Sequence, residues 1–255
     1  MDLTFIQKQP VLTDPPLKLV ICQLRFPRLM GLTEADVRPV QRALAATYGH
    51  VEIQRVAGFS LGPAGATPTG DVEQAYRFLD VAKAWTVTLG PNSLSLETTA
   101  YGDFTDFARR WHSLASTVLE LLDITNQERI GLRYVNELPC PAEPSPEDIS
   151  RIVIRELVGV VGRHEATQRL LASMQEMRFA QPQGACTFRH GFVPRSEGSA
   201  YVLDIDLYDE KPRALGLDNE IQLLASFNHA AYELFRWSVE PDHFATFKPQ
   251  EVPVS

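Results

Sequence analysis

The sequence contains one short phrase twice, and this repeat constrains the fold more than any other feature. Leu24-Arg25-Phe26 ends an apolar run near the N-terminus, and Leu132-Arg133-Tyr134 lies in a similar run just past the midpoint. Both runs are rich in Leu, Ile and Val, which predicts strands whose faces are largely covered. We therefore predict two related halves rather than one irregular fold.

The elements predicted after each phrase come in the same order. In the first half a strand is followed by a helix, about three strands and a long helix, which begin near Leu17, Thr33, Val51, Tyr76, Ser93 and Asp103. In the second half the same order begins near Ile130, Ser145, Gln168, Cys186, Tyr201 and Asp218. Tyr76–Leu89 is predicted as one strand, the stretch from Gly62 to Gly70 as a loop, and the segment from Ser145 to Val160 as one helix.

This order predicts the fold class and the organisation of the chain. We expect an α+β fold of two tandem β-α-β-β-β-α units, residues 1–126 and 127–255, packed as one compact body with pseudo-two-fold symmetry. The sheet is predicted to be of the antiparallel type, with the helices on one face. In shape it resembles the pseudo-symmetric saddle of TATA-binding-protein-like folds, a likeness that carries no function.

Composition narrows the function classes. The 255 residues carry a net charge of -8, which argues against a general phosphate-binding surface and makes nucleic acid an unlikely partner. The three cysteines are widely spaced and odd in number, as in proteins of a reducing compartment. Because neither a signal peptide nor an apolar run of membrane-spanning length is apparent, we predict a cytoplasmic protein without a membrane partner.

Two strand arginines are the first candidate site residues. Arg133 shares a strand face with Val135, whereas Asn136 points to the other side. An unpaired charge inside an apolar strand is costly, so Arg25 and Arg133 each need a partner. The partner is either a strand carboxylate, which the sequence favours, or an anionic ligand held by the guanidinium fork.

Asp204 and Asp206 are the candidate partners of these arginines. Period-two alternation places both carboxylates on one face of the strand Tyr201–Leu207. Such a pair can hold a divalent cation or act as acid and base, but alternating acids also form the ordinary polar face of a half-buried sheet. Glu97, on a comparable strand of the first half, favours the second interpretation.

Sequence motifs for catalysis are missing. The chain has no nucleophile elbow, no phosphate-binding loop and no metal-ligand spacing among its six histidines. We predict no cofactor and no metal.

The segment Arg129-Ile130-Gly131-Leu132-Arg133-Tyr134-Val135-Asn136 resembles the R-x-G-L-R-Y-x-N core of a sporadically distributed bacterial family of similar-length proteins without an established activity. Similar supporting features are Leu24-Arg25-Phe26, Leu203-Asp204-Ile205-Asp206, and the helix containing Asn228 and His229. The resemblance implies related halves and boundaries, and it supplies no catalytic residue.

Two functions follow from these observations. The favoured one is a non-catalytic binding or adaptor protein of a bacterial operon, with a protein or small-ligand site near the seam between the halves. The alternative is a metal-dependent hydrolase or nuclease-like enzyme that uses Asp204, Asp206 and Glu97. The predicted ligand-binding residues are Arg25, Arg133, Asn136, Asp204 and Asp206.

Overall fold

The computed structural model describes residues 9–62, 65–141, 144–159, 171–196 and 198–250. Its strands are β1 (Leu17–Arg25), β2 (His50–Gly62), β3 (Gly65–Leu79), β4 (Trp85–Gly90), β5 (Ser93–Thr98), β6 (Asn126–Gln127), β7 (Arg129–Cys140), β8 (Gln175–Ala180), β9 (Ala185–Pro194), β10 (Ser199–Asp209) and β11 (Arg213–Ala214). Its helices within these ranges are α1 (Glu34–Leu44), α2 (Phe104–Leu121), α3 (Pro146–Ser150), α4 (Arg155–Val158), α5 (Leu217–Ser238) and α6 (Pro241–Ala245). The predicted α+β class is confirmed.

One antiparallel sheet of nine strands organises the molecule, in the order β2-β3-β4-β5-β1-β7-β10-β9-β8. The strands that carry the repeated phrase, β1 and β7, lie side by side in its middle. Their register places Gln23 opposite Gly131 and Arg25 opposite Arg129. Arg25 follows Gln23 by two residues in β1, and Arg133 follows Gly131 by two residues in β7. Because the strands are antiparallel, the two arginines lie on opposite sides of the Gln23–Gly131 pair. The internal duplication and the saddle shape stay predictions.

Long helices cover one face of this sheet. Trp85 of β4 packs on Phe107 of α2 with ring centroids 5.9 Å apart. On the other side of the seam, the buried Tyr134 hydroxyl of β7 donates to Oδ1 of Asn228 in α5 at 2.8 Å. The large buried side chains between strands and helices form a continuous hydrophobic core. We call this side of the sheet the helix face and the opposite side the outer face.

Local capping signals set the helix starts. The Asp103 side chain accepts from the backbone N–H of Asp106 at 2.9 Å and so caps α2, which begins where the sequence predicted a long helix to start. Ser145 and Asp148 form a reciprocal capping box at the start of α3. None of the helices in the described ranges is long and apolar enough to cross a bilayer.

The helix predicted to run from Ser145 to Val160 is wrong in its length. α3 ends at Ser150, and a separate short helix, α4, follows. Between them Val153 forms a β-bridge with Val239, and the Ile154 N–H donates to the carbonyl of Ser238. The backbone leaves the helix because these groups bond to the last residue of α5 and to the residue that follows it. Ile152 and Val153 are buried as predicted, and Val160 lies outside the described residues.

Two strand predictions of the first half also need correction. The segment Tyr76–Leu89 is interrupted by a turn, in which Oδ1 of Asp80 accepts from the N–H groups of Ala84 and Trp85 and separates β3 from β4. The described part of the predicted Gly62–Gly70 loop is mostly strand, because β2 and β3 continue their antiparallel ladder through it. Pairing between strands overrides the glycine and proline signals there.

Candidate functional site

Ion pairs on the outer face of the sheet occupy the acids that the sequence singled out. Arg133 of β7 donates from Nε and Nη2 to the two carboxylate oxygens of Asp204 in β10, at 2.6 and 2.7 Å. These hydrogen bonds raise the pKa of Arg133. The Asp204 side chain is only 7% exposed, and Nη1 of Arg189 in β9 lies 3.5 Å from it. Asp204 is therefore a buried anion held by a bidentate cation.

Asp206 has its own arginine. Nη2 of Arg129 donates to its carboxylate at 3.1 and 3.3 Å, and the same guanidinium lies 4.6 Å from the ring centre of Tyr208. Burial raises the pKa of Asp206, and the charge of Arg129 opposes that shift. Arg129 thus binds Asp206 through hydrogen bonds on the outer face, and its own side chain is only 15% exposed.

Gly131 makes room for this arrangement. A Cβ at position 131 would lie 2.7 Å from Nη1 of Arg129 and 3.1 Å from its Cζ. The Arg129 side chain therefore runs along β7 over the glycine, and it reaches Tyr208, which is the cross-strand neighbour of Gly131. This contact gives a physical reason for glycine between the two arginines of the central phrase.

Glu97, the third acid of the hydrolase hypothesis, is also paired. Its carboxylate lies 3.5 Å from Nη2 of Arg77 in β3, and Arg77 also donates to Glu52 at 3.1 Å. Within the described ranges no three His, Cys, Asp or Glu side chains are grouped so that they could hold a metal ion. Each of the three acids of the hydrolase hypothesis, Asp204, Asp206 and Glu97, is therefore engaged by an arginine.

Arg25 differs from the other predicted residues. It is exposed at the end of β1, directly opposite Arg129, and no carboxylate of the described residues pairs with it. The charge of its cross-strand neighbour Arg129 is already compensated by Asp206, so Arg25 is the arginine of this pair that is left to bind an anion from outside the chain.

Arg25 belongs to a mixed surface along the two central strands. Ile21 and Gln23 of β1 and Arg133 and Val135 of β7 are all partly exposed on the same face. We call the outer side chains of β1 and β7, from Leu19 to Arg25 and from Arg129 to Val135, the seam surface.

The structure separates Asn136 from the other predicted ligand-binding residues. Arg25, Arg133, Asp204 and Asp206 lie on the outer face, whereas Asn136 is buried and alternates to the helix face. Asn136 therefore shares no surface with the other four, and ligand binding by any of the five stays a prediction.

A shallow pocket lies away from the seam. It has a volume of about 500 Å³ and is located where α2 ends and α5 begins, with Ser116, Leu119, Ile124 and Leu215 in its wall. Neither Arg25 nor Arg133 lines it. The outer face at the seam is instead a broad strand surface.

No family model and no curated protein matches the chain. The resemblance to the bacterial family with the R-x-G-L-R-Y-x-N core stays a prediction.

Several outer-face residues were missed from the sequence. Arg129 is part of the central phrase, yet alternation alone did not connect it with Asp206. Arg189 was not among the predicted site residues, yet it lies within β9 on the outer face, where its Nε donates to Glu176 at 2.7 Å. The signal for Arg189 was its spacing of two residues from Thr187 and from Gly191, which places the three on one strand face.

A second buried polar cluster lies at the start of α5. Arg213 donates to both carboxylate oxygens of Glu220 at 3.1 Å and also to Asp209. Burial raises the pKa of Glu220, which is 1% exposed, while the Arg213 charge acts in the opposite direction. The guanidinium of Arg213 bonds to both buried acids, which supports a structural role for the cluster.

Proposed function

We propose that this protein is a non-catalytic binding or adaptor protein, an accessory component of a bacterial operon, whose seam surface binds an acidic segment of a protein partner in the cytoplasm. The observation that carries the proposal is the difference in charge pairing along the outer face. Asp204, Asp206 and Glu97 are each held by an arginine, whereas Arg25 faces Arg129 without a carboxylate of the described residues.

The chemistry of the surface favours a protein over a small ligand. Small molecules are bound in concave pockets that enclose most of their surface, and the pocket between the end of α2 and the start of α5 lies away from the seam surface. Arginine is enriched at protein interfaces, and the seam surface carries Arg25 and Arg133 on one broad strand face. An acidic side chain or a C-terminal carboxylate of the partner would form an ion pair with the guanidinium of Arg25.

Internal duplication belongs to the same proposal. The strand order is consistent with it, since β5 and β10, the strands that precede the long helices, each flank an opening strand of the repeat. In this interpretation the seam is the junction of two equivalent units, residues 1–126 and 127–255.

The test compares two charge reversals of exposed arginines. Tagged wild-type chain, Arg25→Glu and Arg109→Glu are expressed in the native host, and captured proteins are quantified by mass spectrometry. Arg109 lies on α2 and its side chain is 64% exposed, so it serves as the matched control. A partner should be lost with Arg25→Glu and kept with Arg109→Glu.

The purified partner then decides the proposal. Its affinity should fall at least about tenfold with Arg25→Glu and should decrease with added salt. Equal affinity of both variants would contradict the seam surface. Turnover of bis-p-nitrophenyl phosphate that disappears in folded Asp206→Asn would contradict a non-catalytic function and restore the hydrolase alternative.

A further inference from the structure

Strand β8 forms one edge of the large sheet. It pairs with β9 on one side, and no other strand in the described ranges pairs with its second side. Five of its six residues are exposed. An edge strand presents a row of backbone N–H and C=O groups that can pair with another strand.

The backbone directions identify which residues of β8 face outward. On either side of the strand, the N–H groups of Ser173 and Gln181 donate toward β9, to the carbonyls of Phe192 and Gly184. The backbone N–H and C=O groups of successive residues point to opposite sides of an antiparallel strand, so the odd-numbered residues of β8 bond to β9. The even-numbered residues Glu176 and Arg178 direct their N–H and C=O groups away from the sheet.

The side chains of these two residues have opposite charges on one face. Glu176 is the cross-strand neighbour of Arg189 and Arg178 that of Thr187, which places both on the outer face. The Arg178 side chain is 69% exposed, and its Nε lies 3.4 Å from the Glu176 carboxylate.

This pattern selects one register when β8 pairs with a second β8. In an antiparallel pair centred on Met177, Glu176 faces the partner's Arg178 and Arg178 faces the partner's Glu176. Centring the pair on Glu176 or on Arg178 would instead put like charges opposite each other. Opposite charges directly across a ladder stabilise it and like charges destabilise it.

The opposite edge of the sheet lacks this property. In the part of β2 whose side chains the structure describes, residues 50–55, the acid and the arginine are Glu52 and Arg55. Their odd spacing places them on opposite faces, so they cannot face each other in an antiparallel pair.

Apolar exposure adds an independent observation at the β8 edge. The exposed fraction is 84% for Leu171, 50% for Met174 and 39% for Phe179, and all three belong to this strand or the segment just before it. Three exposed apolar side chains within nine residues of the chain are consistent with an interaction site along this edge.

We propose that β8 is a self-association edge: two copies of this chain pair through their β8 strands in the Met177-centred register and form a two-fold dimer with a sheet continuous across both copies. The interface is a strand pair with a few apolar contacts, which is smaller than the roughly 1,200 Å² typical of stable complexes. The dimer is therefore weak and concentration-dependent. It leaves the seam surface accessible, so it stands independently of the proposed function.

Sedimentation velocity of the full chain across the micromolar range tests the proposal. The wild type should shift from monomer to dimer as its concentration rises. Arg178→Glu places two Glu–Glu pairs in the interface and should weaken the dimer at least about tenfold. Arg178→Pro removes an outward N–H that the ladder to β9 does not use, and it should weaken the dimer similarly. Arg109→Glu should leave it unchanged.

Mixing complementary variants gives the sharpest result. Arg178→Glu carries two acids on β8 and Glu176→Arg carries two bases, so each should be monomeric alone and the two should form a heterodimer when mixed. Thermal unfolding of each variant checks that it is folded. A wild type that stays monomeric, a dimer insensitive to both Arg178 variants, or folded variants that do not combine would each overturn the proposal.

Discussion

Replacing Arg133 should destabilise the fold more than replacing its partner Asp204. The Asp204 side chain is 7% exposed and that of Arg133 is 41% exposed. Arg133→Met leaves the carboxylate buried, with only Arg189 nearby at 3.5 Å. Asp204→Asn instead leaves a guanidinium that can turn toward water.

The exposed fractions of the two side chains determine how much each substitution should lower the free energy of unfolding. Removing one partner of a fully buried ion pair costs about 3–5 kcal/mol. Because Arg133 is partly exposed and Arg189 stays close, we expect Arg133→Met to lower the free energy of unfolding by about 2 kcal/mol. Asp204→Asn keeps an acceptor for one hydrogen bond and should cost about 1 kcal/mol. The double change of Arg133→Met with Asp204→Leu should cost less than the sum of its single changes, since it leaves no uncompensated partner.

Urea unfolding followed by tryptophan fluorescence measures these differences, read from midpoints at an unchanged slope. Arg195→Met is the matched control, because Arg195 is 39% exposed but its partner Glu137 is 26% exposed. It should cost at most about 1 kcal/mol. The reasoning fails if Asp204→Asn costs as much as Arg133→Met, or if Arg195→Met is equally destabilising.

Three further predictions concern local features. Gly131→Ala should lower the urea midpoint of the otherwise wild-type protein, because a Cβ at this position would displace the Arg129 side chain. In an Arg129→Ala background the same change should raise the midpoint, since only the lower conformational entropy cost of alanine in a strand remains. A change of the same sign in both backgrounds would refute the contact between Gly131 and Arg129. Burial lowers the pKa of His190, so between its unfolded pKa of about 6.5 and its lower folded pKa the unfolded state binds more protons than the folded state. The free energy of unfolding should therefore fall as the pH decreases through this range, by up to about 1.4 kcal/mol per pH unit. Thermal melts of His190→Phe should show a weaker pH dependence between neutral and mildly acidic pH. Ser145→Ala breaks the capping box with Asp148 and should cost about 1 kcal/mol in the same urea assay, and an unchanged midpoint would show that α3 contributes nothing to global stability.

Features with a complete local signal could be predicted from the sequence. The long helix predicted to begin near Asp103 is α2, which starts at Phe104 with Asp103 as its cap. Alternation in β10 correctly placed Asp204 and Asp206 on one face. These predictions succeed because caps and periodicity depend on neighbours in the chain.

Features that depend on strand register could not be predicted. Asp204 is opposite Val135 in the ladder, yet it bonds diagonally to Arg133, and Arg129 reaches Asp206 along a path that passes close over Gly131. Neither ion pair could be predicted from residues that are neighbours in the sequence, because each joins β7 to β10. The ends of α3 and β3 also depend on distant or turn-specific bonds, such as the bridge at Val153 and the Asp80 turn.

The central position of β1 has a consequence for the order in which the chain folds. β1 bonds to β5 on one side and to β7 on the other, and β7 begins only after the whole first half. During synthesis the first half therefore emerges with one side of β1 unsatisfied, and such long-range pairing is slow to form. We expect residues 1–126 alone to aggregate through that exposed strand, and the addition of β7 to be the step that makes the nascent chain soluble.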